Sequence, residues 1–341
     1  MPAPAPASAP LDLQPYNTLG LRAHAERALR VCDAAEVPAL APLARAKPGL
    51  FVLGGGSNVV LPERMQATVV RVALRGIELL EATPEAWIVQ AAAGENWHDF
   101  VAHCIGQGWS GLENLALIPG TVGAAPVQNI GAYGVEARAR IQAVTAYDLQ
   151  HERWVEFDAA TCGFAYRDSV FKRAGQGRWL ITSVRFALPR RWQPVLDYPD
   201  LRARRAAPGA LATARQVFDA VCEIRRSKLP DPARLPNAGS FFKNPVVPAA
   251  LHAALAQQHA RMPAWPQADG GVKLAAAWLI EQCGWKGRRL GPVGMHERHA
   301  LVLVNHGGAC ASDVAALRDA VQRDVEQRFG VWLEPEPVAP C

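Results

Sequence analysis

The stretch NAGSFFKNP, residues 237–245, sets one serine between a glycine and two phenylalanines and closes on Lys243, Asn244 and Pro245. A lone hydroxyl so placed has three uses: a nucleophile, a proton donor in a dry pocket, or an ordinary turn. A hydrolase nucleophile would call for a G-x-S-x-G elbow, and none surrounds Ser240. Two other stretches offer backbone chemistry. In GGGSNVV, residues 54–60, Gly54, Gly55 and Gly56 allow a tight turn that aims several N–H groups at one anion, while Ser57 and Asn58 add side-chain donors. The same residues would serve a plain hairpin equally well. In IPGTVGAAPVQNIGAYG, residues 118–134, four glycines over seventeen residues leave little side-chain bulk, which permits close approach to a large flat ligand. A structureless loop of that length ordinarily has a function.

Other patterns are weaker. GQGWSG matches G-x-G-x-x-G at Gly106, Gly108 and Gly111. A helix-like segment precedes it and a leucine-rich loop follows, whereas a dinucleotide fold needs a strand before and a helix after. His296 and His299 in MHERH could act as a base or as metal ligands, but a metal would need a third ligand and an open position, so no metal is expected.

These residues need elements to hold them. LFVL before the glycines reads as a strand and NVVL after them as a second, closed by Pro62. ATVVRVAL (67–74), AWIVQAAAG (86–94), IQAVTAYDL and RWLITSVRFAL read as further strands, and NWHDFVAHCIGQG as a helix. The second half is more helical. TARQVFDAVCEIRRSK (213–228) puts Val217, Ala220, Val221 and Ile224 on one face before LPDP breaks it. VKLAAAWLIEQCG predicts another helix ended by Gly284. A third is expected from an N-cap at Ser312 to Gly330, with Val314, Leu317, Val321, Val325 and Phe329 in one stripe, and VWLEPE then reads as a strand. Three prolines in the seven residues 230–236 mark a domain boundary.

With 341 residues, 50% hydrophobic and 20% charged, the chain has room for two or three soluble domains. The net charge of +5 is scattered without a basic stripe, which disfavours nucleic acid and suits a small anionic ligand. The seven cysteines are widely spaced with no C-x-x-C pair and read as reduced thiols of a cytoplasmic protein. MPAPAPASAP lacks the apolar core of a secretory signal, no stretch is long enough to span a membrane, and residues 1–14 read as a disordered Pro/Ala tail.

The two glycine-rich loops together resemble the flavin cradle of the vanillyl-alcohol-oxidase type of FAD domain. Joined by CGFAYRDSVFK (162–172), NAGSFFKNP and the terminal LEPE, in that order, they resemble the UDP-N-acetylenolpyruvoylglucosamine reductase family of bacterial cell-wall synthesis, over essentially everything from Tyr16 to Glu336. The resemblance implies an α+β fold. Residues 15–228 would form the FAD-binding domain in two subdomains, about 15–76 and 77–228, and residues 229–341 a substrate-binding domain. It also implies FAD and NADPH as cofactors, a UDP-sugar enolpyruvyl ether as substrate, and a monomer.

In that family NADPH reduces FAD and leaves, hydride passes from the flavin to C3 of the enolpyruvyl group, and a proton to C2 completes the product. Ser240 matches the proton donor, Arg167 in YRDS the arginine that binds the carboxylate, and Glu336 the catalytic glutamate. Without the family, Arg167 would read as a surface arginine paired with Asp168. Alternation puts Glu334 on the same strand face as Glu336, where a neighbouring carboxylate would raise its pKa, and Phe241 and Phe242 would help keep solvent from Ser240. FAD would be held by Gly54, Gly55, Gly56, Ser57, Asn58, Gly111, Ile118, Pro119, Gly120, Thr121, Gly123, Ala124 and Gly131. Substrate would be met by Tyr133, Tyr166, Lys228, Asn244, Lys286 and His299. Tyr198 in PVLDYPDL (194–201) corresponds to the loop of one subtype, whose tyrosine folds over the diphosphate. The chain departs from the family after Glu336: Val338 stands where a basic residue often follows two positions on, so that either Lys228, Lys286 or another residue supplies that charge or affinity for substrate is reduced. Two rival functions share parts of the pattern. A flavin-dependent alcohol oxidase would keep the cradle without the NAGSFFKNP, YRDS and LEPE set, and a non-catalytic UDP-sugar-binding protein would have no use for the flavin loops.

Overall fold

The computed structural model describes residues 7–175, 177–205 and 211–340. The chain forms two compact units with the main division between Ser227 and Lys228, but Leu13–His24 and Ser57–Glu63 belong to the second unit rather than the first. Long-range bonds explain the reassignment. Asn237 N–H donates to the Thr18 carbonyl at 2.8 Å, and Val60 N–H to the Val338 carbonyl at 2.9 Å. Asn305 Nδ2 donates to the Leu19 carbonyl at 2.8 Å, and Leu19 and Leu21 lie wholly buried in the second unit's core.

The first unit contains two sheets. In one, Leu50–Leu53 and His24–Val31 flank Thr68–Val72 in parallel, and Ala9–Asp12 and Arg64–Met65 pair with His24–Val31. Such strands are buried on both faces, hence the unbroken apolar runs LFVL and TVV. The strand Ala9–Asp12 corrects the expectation of a tail through residue 14: the Pro/Ala alternation gives way at Leu11, and pairing with a neighbour satisfies the backbone. Residues 1–6 of that tail lie outside the described residues. The second sheet is antiparallel, in the order Arg153–Asp158, Ile141–Asp148, Trp179–Pro189, Ala86–Ala92, Ile77–Ala82. The helix Trp97–Gly106, capped by the Asn96 side chain, packs on it through Phe100, whose ring centre is 4.9 Å from that of Phe186.

The second unit centres on a four-stranded sheet, Asn237–Ser240, Val302–Asn305, Val293–Met295 and Arg289–Leu290. The helix Ala311–Phe329 buries the expected stripe Val314, Leu317, Val321, Val325 and Phe329. Three sequence expectations need correction here. The helix's capping box is made by Cys310 and Asp313, not Ser312. VKLAAAWLIEQCG is split into a strand, Val272–Leu274, and a helix, Ala276–Gln282. VWLEPE is no regular strand: Pro335 bridges Phe242 and Val338 bridges Val59, each in isolation. Likewise NVVL after the glycines forms no strand, and the hairpin reading of GGGSNVV fails because Leu50–Leu53 pairs in parallel with Thr68–Val72.

Candidate functional site

In the first unit the two glycine-rich loops abut backbone to backbone. A Cβ on Gly55 would lie 2.7 Å from Gly120 Cα, one on Gly54 2.9 Å from Thr121 Oγ1, and one on Gly123 2.5 Å from Ala93 Cβ. Glycine is therefore required by contact, and what remains exposed is backbone with almost no side chain. The second loop is pinned from beneath. Gly123 N–H donates to the Ala93 carbonyl at 2.9 Å, Val122 N–H to that of Glu95 at 2.9 Å, and Trp97 N–H to that of Gly120 at 3.1 Å. Leu117, at φ +56°, donates its N–H to His98 Nδ1 at 3.1 Å. This rigid, side-chain-poor cradle, with Ile118 and Ala124 only partly covered and Pro119 exposed, fits a flat dinucleotide such as FAD. Gly111 is placed differently. Its N–H is taken by Glu113 Oε2 at 2.7 Å and its carbonyl by Arg140 Nε at 3.2 Å, so its role in the fold is internal.

Arg167 occupies a left-handed position, φ +54°, in a tight turn closed by Ala165 and Asp168. Its Nη2 donates to the Gly131 carbonyl at 2.9 Å, and its guanidinium lies 5.2 Å from the centre of the Tyr166 ring. A Cβ on Gly131 would meet Arg167 Nη1 at 3.1 Å. Asp168, the partner expected on local grounds, is bound instead by Arg173. The turn therefore presents Arg167 away from its acidic neighbour.

Tyr133, also left-handed at φ +49°, is buried, and burial pushes its phenol up to about 12. The exposed ring of Tyr198 meets it edge-on at 4.9 Å. Sequence reading missed a third member of this group, Arg225. It is half-buried, its Nε is sealed from solvent with no hydrogen-bond partner, and it acts electrostatically on both tyrosines. Burial lowers its pKa from the ordinary value. The signal was in the helix Ala214–Lys228, where Arg225 continues the buried row Val217, Val221 at four-residue spacing.

The second unit holds the serine. Ser240 ends its strand after a bulge, with Gly239 at φ +67° and its N–H fixed by Asn237 Oδ1 at 2.9 Å. Ser240 is exposed, whereas Phe241 and Phe242 are buried to 1% and meet at 5.2 Å. The phenylalanines thus anchor the segment in the core and do not wall in the hydroxyl, which corrects the sequence expectation. Glu336 is tied to this segment by its N–H, which donates to the Phe241 carbonyl at 2.8 Å. Asn58 Nδ2 reaches the Glu336 carbonyl at 3.3 Å, and Val338 N–H donates to the Asn58 carbonyl at 3.0 Å. Glu334 is not a second carboxylate beside Glu336 on a strand face, since it is exposed and paired with Lys243.

Cations gather near His299. Burial lowers the imidazole's pKa, and Lys228, His296 and Lys286 lower it further. Its Nδ1 accepts the Leu301 N–H at 3.4 Å, which assigns the proton to Nε2. Lys286 pairs with Glu281 at 2.8 Å. Asn244 Oδ1 accepts from Ala276 N–H at 3.0 Å, at the start of the helix Ala276–Gln282, and so orients its amide nitrogen.

Family models match both halves: an FAD binding domain over residues 25–156 and the UDP-N-acetylenolpyruvoylglucosamine reductase C-terminal domain over residues 231–339. Proteins named UDP-N-acetylenolpyruvoylglucosamine reductase are 60% identical in Bordetella pertussis, covering 96% of this chain and 93% of the relative. That of an Azoarcus species is 59% identical, covering 96% of each. A crystal structure of the reductase from Thermus caldophilus superposes with a TM-score of 0.68 at 24% identity, covering 98% of each chain, and shares the fold.

Proposed function

We propose that this chain, which belongs to the UDP-N-acetylenolpyruvoylglucosamine reductase family, completes the reduction of its enolpyruvyl substrate with a proton from Ser240 while Arg167 and Glu336 hold the charge that develops on the carboxylate. It is an FAD-dependent oxidoreductase of peptidoglycan precursor synthesis. The observation that carries the assignment is the hydrogen bond from Glu336 N–H to the Phe241 carbonyl, which holds the glutamate beside the serine's own strand end.

FAD, when bound, supplies the hydride for C3, having received it from NADPH. Hydride at C3 drives electrons toward the carboxylate, so a donor there must be strongest in the transition state. Arg167 suits this, because a planar guanidinium can grip both carboxylate oxygens and stays charged throughout. Ser240 then gives its proton to C2. A hydroxyl is a weak acid, so this step depends on a strongly basic acceptor. Glu336, its N–H held by the Phe241 carbonyl and its carbonyl by Asn58 Nδ2, assists at that carboxylate. Lys228, Lys286, His299 and Asn244 supply donors for an anionic diphosphate, with Tyr133, Tyr166, Tyr198 and Arg225 as further contacts. On this reading the enzyme is a cytosolic monomer of the subtype whose tyrosine covers the diphosphate.

The test is anaerobic. NADPH should bleach the bound flavin, and UDP-N-acetylenolpyruvoylglucosamine should restore its colour. If substrate leaves the bleached flavin unchanged, the assignment of substrate is wrong.

A further inference from the structure

The segment carrying Tyr198 is fastened at its foot by two adjacent side chains that the reaction chemistry does not use. Glu113 and Asn114 sit in the short turn Glu113–Leu115, only 3% and 1% exposed. Burying a carboxylate and an amide is costly unless their polar atoms are engaged. They are. Glu113 Oε1 accepts from Trp192 Nε1 at 2.6 Å, and its Oε2 accepts from Gly111 N–H at 2.7 Å. Asn114 Nδ2 donates to two separate strands of chain, to the Val195 carbonyl at 2.9 Å and to the Tyr133 carbonyl at 2.8 Å. Trp192 and Val195 lead directly into Tyr198, and Tyr133 carries the ring that Tyr198 packs against.

We propose that Glu113 and Asn114 are positioning residues for the reductase: they fix the foot of the 192–198 segment, and with it the Tyr133–Tyr198 pair, so that Tyr198 is presented to the diphosphate of the substrate. The proposal rests on the reading of Tyr198 as the substrate-covering tyrosine. Its geometry sets a limit on motion. Tyr198 lies three positions past the fixed carbonyl of Val195, so its Cα stays within about 10 Å of that anchor. An apolar pair of equal volume would fill the same space but would fix neither the indole nor the two carbonyls. The specific donors and acceptors are thus the part that matters for function.

The experiment compares Asn114→Ala, Glu113→Gln and Tyr198→Ala in the FAD-loaded enzyme. Asn114→Ala leaves two carbonyls unpaired and Glu113→Gln turns one acceptor into a donor facing an N–H. Both should raise KM for the UDP-sugar enolpyruvyl ether, by about tenfold and about threefold respectively. Flavin content and the rate of bleaching by NADPH should stay as in the parent. Hydrogen exchange of the 192–198 amides should quicken in both variants. If Tyr198→Ala raises KM while neither positioning variant changes KM or exchange, the proposal is overturned and the reading of Tyr198 stands. If Tyr198→Ala leaves KM unchanged, the reading of Tyr198 is itself lost, and the proposal with it. Loss of FAD, or equal slowing of both half-reactions, in Asn114→Ala and Glu113→Gln alike would assign the pair to packing and also overturn it.

Discussion

The N–H of Glu336 donates to the carbonyl of Phe241 at 2.8 Å, one residue beyond Ser240. The register between Ser240 and Glu336 is therefore set by main chain. Buried Phe241 and Phe242 below, and Asn58 reaching the Glu336 carbonyl, hold that register. Pre-positioning of this kind is what a weak acid requires, since proton transfer falls off steeply with misplacement.

Ser240→Ala should leave bleaching of the flavin by NADPH near the parent rate and slow its recovery with substrate by about 10²–10⁴-fold, the usual span for one general acid. Rapid-mixing absorbance under anaerobic conditions separates the two steps. Equal slowing of both would make Ser240 a positioning residue.

Val338 stands where the family resemblance leads one to expect a basic residue, and here it serves through its backbone: its N–H donates to the Asn58 carbonyl and its carbonyl accepts from Val60. Val338→Ala should change little, because the ladder survives. Val338→Pro removes the N–H and should cost about 1 kcal/mol of stability, with recovery of the oxidised flavin slowed as Glu336 loosens. Thermal melting and single-turnover rates on both variants check this, and parity between them would argue against a backbone role.

His98 makes the first unit sensitive to acid. Its ring stacks on Phe218, and its Nδ1 must be unprotonated to accept the Leu117 N–H at the strained start of the second glycine loop. Burial lowers its pKa from the ordinary 6.5, with Arg226 and Arg225 adding to the shift and Asp99 opposing it. A lowered folded value means that the unfolded chain binds the proton first. The stability contributed is complete above about 6.5 and is lost as pH falls through His98's lower folded value. FAD release, followed by flavin fluorescence, should rise over that interval, and His98→Asn, which keeps an acceptor but cannot titrate, should flatten the profile.

How far the sequence disclosed this architecture depended on distance along the chain. The helix Ala214–Lys228 was legible nearly to the residue, because its apolar spacing and the LPDP break are local. In VWLEPE the alternation correctly tracked burial, with Val331 and Leu333 inside and Trp332 55% exposed. It failed on pairing, since Pro335 has no N–H to give a ladder. The transfer of Leu13–His24 and Ser57–Glu63 to the second unit was invisible, resting on bonds to partners more than two hundred residues away. Ser240, Arg167 and Glu336 were assigned from the family pattern and stand as proposals. Arg225 was missed because the helix was read for its apolar residues alone, and a cation continuing that row at four-residue spacing carries no apolar signal.

Gly55 offers the sharpest test of the cradle. A methyl group there would lie 2.7 Å from Gly120 Cα, a contact with main chain that no rotamer can relieve. Gly55→Ala must push the two loops apart, at a cost of about 1–3 kcal/mol for overpacking. Because the loops are pinned to Ala93, Glu95 and Trp97, the strain falls on the exposed backbone proposed to hold the cofactor. The variant should fold yet purify colourless, with flavin absorbance restored only at high added FAD. Gly76→Ala, where an added Cβ meets nothing within 4 Å but φ is +135°, controls for glycine strain alone. If Gly55→Ala retains stoichiometric yellow flavin, the abutting loops do not form the cradle.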